Sequence, residues 1–126
     1  MVILIVDDSR DEQDLLSTRL RAAGYGSLMV ADSAEAAFGI LGQGNVGQGT
    51  GAVDLILMDV MLPGLDGLEA CRRIVASEWL QDIPIIVITA KTDEKDLLAA
   101  FAAGAMDYIR KPVNPAELVA RVASAL

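Results

Sequence analysis

Three aspartates, a threonine and a lysine stand at the ends of short apolar runs in this sequence. Asp7 and Asp8 follow Val2-Ile3-Leu4-Ile5-Val6, and Asp59 follows Leu55-Ile56-Leu57-Met58. Thr89 closes Ile85-Ile86-Val87-Ile88, and Lys111 follows a run ending in Tyr108-Ile109-Arg110. Carboxylates crowded together repel one another unless protonated or paired with a cation. With no histidine or cysteine cluster beside them, their oxygens suit a hard ion such as Mg²⁺, which keeps some of its own waters. A hydroxyl and an ammonium facing those carboxylates can hold the oxygens of a phosphoryl group from the other side. Each residue singly has a plainer use. Aspartates at strand ends often form turns or cap helices, and a lone lysine often does no more than pair with one of them. The set carries chemistry only if the fold brings it to one edge.

The apolar pattern predicts that it does. Val2–Val6 is a continuous run rich in β-branched residues, as in a strand buried on both faces. Ser9 caps a predicted helix over 10–23, with Leu15, Leu16, Leu20 and Ala23 as its apolar stripe and Gly24 as its stop. A strand follows over 27–31. Ser33 caps a helix reaching about Leu41, with Ala34, Ala37, Phe38 and Leu41 on one face. Further strands are expected over 54–58, 85–89 and 106–110, and helices over 67–76 and 93–103. Asn114-Pro115-Ala116-Glu117 reads as a helix start, with Asn as cap, Pro at the first position and Glu at the third. Strands alternating with helices imply an α/β fold with a parallel sheet and right-handed crossovers. In such sheets ligands bind beyond the carboxyl ends of the strands, near the point where strand order reverses. That is where Asp7, Asp8, Asp59, Thr89 and Lys111 fall.

Composition narrows the classes. A chain of 126 residues suits one domain spanning 1–126, and its 53% hydrophobic content supplies a real core. A formal net charge of −8 argues against direct binding to nucleic acid or an anionic membrane, both of which reward Lys and Arg. The absence of histidine removes Ser-His-Asp and Cys-His mechanisms, the usual zinc sites and any phosphohistidine in this chain. The single cysteine, Cys71, can form no disulfide within the chain and reads as a packing residue. No apolar run approaches the ~18 residues of a membrane span. The opening run lacks a basic lead and meets acid at once, unlike a signal peptide. A cytoplasmic location is therefore expected. Gly42, Gly44 and Gly47 form a G-x-G-x-x-G match, but it follows a helix and precedes a strand. The dinucleotide motif needs the opposite order, so the stretch 42–51 reads as a surface loop.

The segments Ile3-Leu4-Ile5-Val6-Asp7-Asp8-Ser9, Asp54 through Gly67, Ile85-Ile86-Val87-Ile88-Thr89-Ala90 and Gly104 through Pro112 occur in this order over nearly the whole chain. Together they resemble the receiver domain of bacterial two-component response regulators. The resemblance implies a flavodoxin-like, doubly wound, five-stranded parallel sheet of order 2-1-3-4-5 with five helices. It implies Asp59 as phosphoacceptor, and Asp7, Asp8, Asp59 and the backbone carbonyl of Met61 around Mg²⁺. Thr89 matches the switch hydroxyl, Tyr108 the switch aromatic and Lys111 the phosphoryl-binding lysine, joined to Pro112 by a cis peptide. The implied donor is a phosphohistidine on a sensor histidine kinase or histidine phosphotransfer protein. Met61 and Lys91 would flank the path of an attacking water, and neither can orient it, which implies slow loss of the phosphoryl group. The Gly-rich stretch 42–51 is longer than the usual connection there.

The reading is thus a phosphorylation switch rather than a turnover enzyme, since it catalyses only its own phosphorylation and dephosphorylation. Its output surface would be the fourth helix, fifth strand and fifth helix. Lys95, Asp107, Arg110, Glu117 and Arg121 give that surface mixed charges able to pair across a two-fold axis in a weak homodimer on activation. Two alternatives use the same residues. One is a Mg²⁺-dependent aspartyl-phosphate phosphohydrolase, which would normally need a substrate-covering cap that no insertion here is large enough to supply. The other is a docking module independent of phosphorylation, against which the complete residue set counts. The chain is either a single-domain regulator or part of a longer one with an output segment.

Overall fold

The structure is a computed structural model and describes residues 1–42, 53–90 and 93–126. Five strands and five helices alternate: β1 Val2–Val6, α1 Arg10–Ala22, β2 Ser27–Ala31, α2 Ala34–Gly42, β3 Leu55–Met58, α3 Gly67–Ala76, β4 Ile85–Thr89, α4 Glu94–Ala102, β5 Asp107–Arg110 and α5 Pro115–Ala125. All pairings are parallel and the strand order is β2-β1-β3-β4-β5. The expected fold class and order both hold, with element ends within a residue of the predicted ones. The Gly-rich stretch read as a surface loop lies, beyond Gly42, outside the described residues, and so does Lys91.

Alternation along the central strands divides the core in two. Ile3 and Ile5 of β1, Leu55 and Leu57 of β3 and Ile86 and Ile88 of β4 turn to one face, where they meet Leu16 and Leu20 of α1 and Leu118 and Val122 of α5. Leu4, Val6, Ile56, Met58, Ile85 and Val87 turn to the other, against Ala34, Ala37 and Leu41 of α2, Ala70, Cys71 and Ile74 of α3 and Ala100 of α4. Both faces of β1, β3 and β4 are therefore apolar, which explains their unbroken hydrophobic runs. The β2 strand reads as equally apolar, yet Met29 and Val30 are exposed. The strand lies at an edge of the sheet, where coverage is incomplete.

Local signals set the helix starts. Ser9, Ser33, Asp66 and Asn114 each accept a backbone N–H three residues on, from Glu12, Ala36, Glu69 and Glu117. Such caps each contribute about 1 kcal/mol. The first turn of α3 is held unusually close to the strand it follows. Gly67 donates its N–H to the Val60 carbonyl at 3.0 Å, and a β-carbon on Gly67 would collide with the Asp59 backbone. No helix among the described residues is long and apolar enough to cross a membrane.

Candidate functional site

The carboxyl ends of β1 and β3 are adjacent because β1 pairs with β3, with Val6 opposite Met58. Asp7 and Asp59, each next in sequence, therefore leave the sheet side by side. The Asp59 N–H continues the ladder onto the Val6 carbonyl at 2.9 Å, and the Asp7 N–H bonds the Ala31 carbonyl at 3.0 Å. Asp7 is 1% exposed and Asp59 5%, while Asp8 faces solvent. One carboxylate oxygen from each of Asp7, Asp8 and Asp59 falls within 4.8 Å of the others. Two buried carboxylates and one exposed one make an oxygen-rich corner with an open side, which fits a hard divalent cation that retains waters.

Lys111 closes the other side. Its Nζ lies 3.0 Å from Asp7 Oδ2 and 3.1 Å from Asp59 Oδ2. The remaining carboxylate oxygens take backbone donors: Asp7 Oδ1 accepts from Ser9 N–H at 2.9 Å and Asp59 Oδ1 from Met61 N–H at 3.1 Å. Burial raises the Asp59 carboxyl above its ordinary pKa. The Met61 N–H and the Lys111 ammonium pull it back in part, and the Asp7 charge pushes it further up. Burial alone would depress the Lys111 ammonium, but its hydrogen bonds to Asp7 and Asp59 outweigh that and hold it above the ordinary value.

Thr89 is buried at the end of β4, and its carbonyl accepts the Lys111 backbone N–H at 2.9 Å, so the hydroxyl-bearing residue and the lysine share one rung. The Lys111–Pro112 peptide is cis. Tyr108 lies on β5, mostly buried on the face covered by α4. Its phenol is held above its usual pKa, first by burial and then by the negative charge of Asp96. Asp7, Asp8, Asp59, Met61, Thr89 and Lys111 thus lie at one edge of the sheet, and five of them belong to one contiguous polar group: Asp7, Asp8, Asp59, Met61 and Lys111.

Two contacts at this edge have no sequence signal. Gln13 Nε2 donates to the Asp7 carbonyl at 2.6 Å, tying α1 to the turn that carries Asp7 and Asp8. Glu35 of α2 accepts the Leu65 N–H at 3.2 Å, reaching across to the segment between Asp59 and α3. On the α4-β5-α5 side, Arg121 bonds both oxygens of Asp107, at 2.8 and 2.9 Å, and pairs with Glu117 at 3.3 Å. Three of the charges expected to pair across a two-fold axis are therefore already paired within the chain.

The model of the response regulator receiver domain family matches residues 3–123. The chain belongs to that family. This receiver domain is 42% identical over 120 residues to the transcriptional regulatory protein YvrH of Bacillus subtilis, covering 95% of this chain and 46% of that protein. It is 40% identical over 124 residues to the phosphate regulon transcriptional regulatory protein PhoB of Pseudomonas aeruginosa, covering 98% of this chain and 51% of that protein. The chain spans about half the length of the curated relatives it matches. Among solved structures, the signal receiver domain of a signal transduction histidine kinase from Syntrophus aciditrophicus superposes with a TM-score of 0.86 at 30% identity, over 99% of this chain and 89% of that one. Receiver domains are signalling modules of two-component systems that accept phosphoryl groups on an aspartate, and that is the function of the family to which this chain belongs.

Proposed function

We propose that Asp59 is the phosphoacceptor and that the donor is a phosphohistidine on a sensor histidine kinase or histidine phosphotransfer protein in the cytoplasm. The observation that carries this reading is the convergence of Asp7, Asp8 and Lys111 on the Asp59 carboxylate. In the transfer, an Asp59 carboxylate oxygen forms the new O–P bond as the N–P bond of the donor breaks. The imidazole nitrogen keeps the electron pair and takes up a proton. Burial makes the Asp59 carboxylate more basic than a solvated one, which favours it as nucleophile, while the hydrogen bond from the Lys111 ammonium favours its ionised form.

Asp7, Asp8, Asp59 and the Met61 carbonyl are the groups that would hold Mg²⁺, which when bound offsets negative charge on the transferring phosphoryl oxygens. Lys111 stabilises the same oxygens from the opposite side, and the Thr89 hydroxyl offers them a donor. Movement of Thr89 toward the phosphoryl group frees room for Tyr108 to turn inward, which alters the α4-β5-α5 surface and so the output. Residues 1–126 act as one receiver unit in this reading, and no substrate other than its own Asp59 is turned over.

Incubation with acetyl phosphate and Mg²⁺ tests the assignment. One phosphoryl group is expected by intact mass, mapped to the peptide containing Asp59 and lost in Asp59→Asn. Steady turnover of assorted phosphate esters would instead identify a phosphohydrolase, and no labelling a docking module.

A further inference from the structure

The segment between Asp59 and α3 turns sharply at Leu62-Pro63-Gly64-Leu65. Proline at the second position and glycine at the third with φ of 73° match a type II turn. In a closed turn of that type the fourth residue's N–H bonds the carbonyl three residues back. Here the Leu65 N–H donates to Glu35 Oε2 at 3.2 Å, a partner 30 residues away in the first turn of α2. The same oxygen lies 3.1 Å from where a β-carbon of Gly64 would stand, so the carboxylate rests directly on the turn. A side chain from a different helix therefore takes the place of the turn's own closing bond.

We propose that Glu35 is a positioning residue for the cation site, clamping the Pro63–Gly64 turn so that the segment carrying Met61 stays in its binding geometry. The proposal rests on the reading of Asp7, Asp8, Asp59 and the Met61 carbonyl as the Mg²⁺ ligands. Met61 is fixed at one end by its N–H to Asp59 Oδ1. At the other end the turn begins at the next residue, Leu62, and Glu35 holds it at Leu65. Without the clamp the Met61–Leu62 peptide keeps only the Leu62 N–H bond to the Val60 carbonyl at 3.1 Å, so the Met61 carbonyl samples more orientations from which the cation must recruit it, and that ordering cost falls on binding. The role requires a hydrogen-bond acceptor and not a negative charge, so glutamine serves and alanine does not.

The test is Mg²⁺ titration of the 126-residue chain, by calorimetry and by the melting temperature as a function of Mg²⁺. Glu35→Ala is expected to weaken Mg²⁺ binding about threefold to tenfold, the range of one ordinary net hydrogen bond. Its metal-free melting temperature should stay close to that of the unsubstituted chain. Glu35→Gln is expected to bind nearly as tightly as the unsubstituted chain. With acetyl phosphate, Glu35→Ala should need more Mg²⁺ for half-maximal labelling but reach the same rate at saturation. Unchanged Mg²⁺ affinity in Glu35→Ala would overturn the proposal. So would equal weakening in Glu35→Gln, which would make Glu35 a distant charge rather than a clamp. Absence of Mg²⁺ binding in the unsubstituted chain would overturn the metal site and the proposal with it, whereas loss of binding in Asp59→Asn alongside normal binding in Glu35→Ala would overturn the clamp alone.

Discussion

Gly67 approaches the Asp59 carbonyl so closely that a β-carbon there would overlap it. The atoms in the way are backbone, which cannot swing aside as a flexible side chain would. Accommodating even alanine must push α3 away from β3 and disturb Asp59 itself. Gly67→Ala is expected to lower stability by about 1–3 kcal/mol, the usual range for overpacking, and to slow labelling of Asp59. Urea unfolding checks the first and acetyl phosphate labelling the second. A stable, normally labelled Gly67→Ala would mean that α3 shifts freely against the strand.

Mg²⁺ should stabilise the unphosphorylated chain. A ligand that binds only the folded state adds about 2.7 kcal/mol at ~100 times its dissociation constant. Asp8→Asn removes one of the three clustered carboxylates and is expected to weaken that gain. In metal-free buffer the same substitution relieves repulsion and should not destabilise. A melting temperature indifferent to millimolar Mg²⁺ in both proteins would rule out the metal assignment.

The Asp59 carboxyl titrates above its ordinary 3.8, chiefly because it is buried. A carboxyl with a higher pKa folded than unfolded binds its proton more tightly in the native chain. Its stabilising contribution is therefore present below pH 3.8 and lost as pH rises through the folded value. In metal-free buffer Asp59→Asn should remove this downward slope from the range above pH 3.8. Curves of stability against pH that run parallel for the two proteins would refute the shift.

The order of elements was legible because three strands are buried on both faces, so each shows as an unbroken apolar run. The positions of Asp7, Asp59 and Thr89 were legible for the same reason, since each ends or directly follows such a run and must lie at a strand's carboxyl end, whereas Lys111 follows the shorter, partly exposed edge strand β5. Exposure of Met29 and Val30 was not, because it depends on β2 lying at the sheet edge and not on its own residues. Nor were the Gln13–Asp7 and Glu35–Leu65 contacts. Each joins an unremarkable surface-helix side chain to backbone on another element, and no spacing rule marks such a pair.

Glu12 places its Oε2 out of reach of solvent and without a hydrogen-bond partner among the described residues. It precedes buried Leu16 by one helical turn, on the face of α1 that packs against α5 and the sheet. A buried acceptor left unsatisfied costs about 1–3 kcal/mol, and an apolar group of similar shape avoids that cost. Glu12→Met is expected to raise stability by about 1 kcal/mol in chemical denaturation while Asp59 labelling stays unchanged. A loss of stability instead would show that the carboxylate is solvated or paired in solution.

Output is expected to pass through the cleft of about 500 Å³ beside Tyr108, bounded by Leu97 and Phe101 of α4, Arg110 of β5 and Arg121 of α5. The phosphoryl group carries about −1.5 to −2 charges, in place of the single negative charge of the Asp59 carboxylate. Thr89 is expected to turn toward it and Tyr108 to move inward, which would leave the apolar edge of α4 at the exposed Leu98 and Phe101 next to an altered cleft. The charges there, Lys95 and Arg110 against Glu94 and Asp96, can meet their opposites on a second copy about a two-fold axis. Exposed ion pairs contribute only ~0–1 kcal/mol each. Arg121 must also loosen its hold on Asp107 and Glu117 before it can pair elsewhere. Any resulting dimer is therefore expected to be weak. Beryllofluoride with Mg²⁺, standing in for the phosphoryl group, is expected to move the chain from monomer toward dimer in sedimentation as concentration rises, while the untreated chain stays monomeric. A treated chain that remains strictly monomeric at high concentration would exclude self-association through this surface and leave a heterologous output partner, on the same protein or another, as the one that reads it.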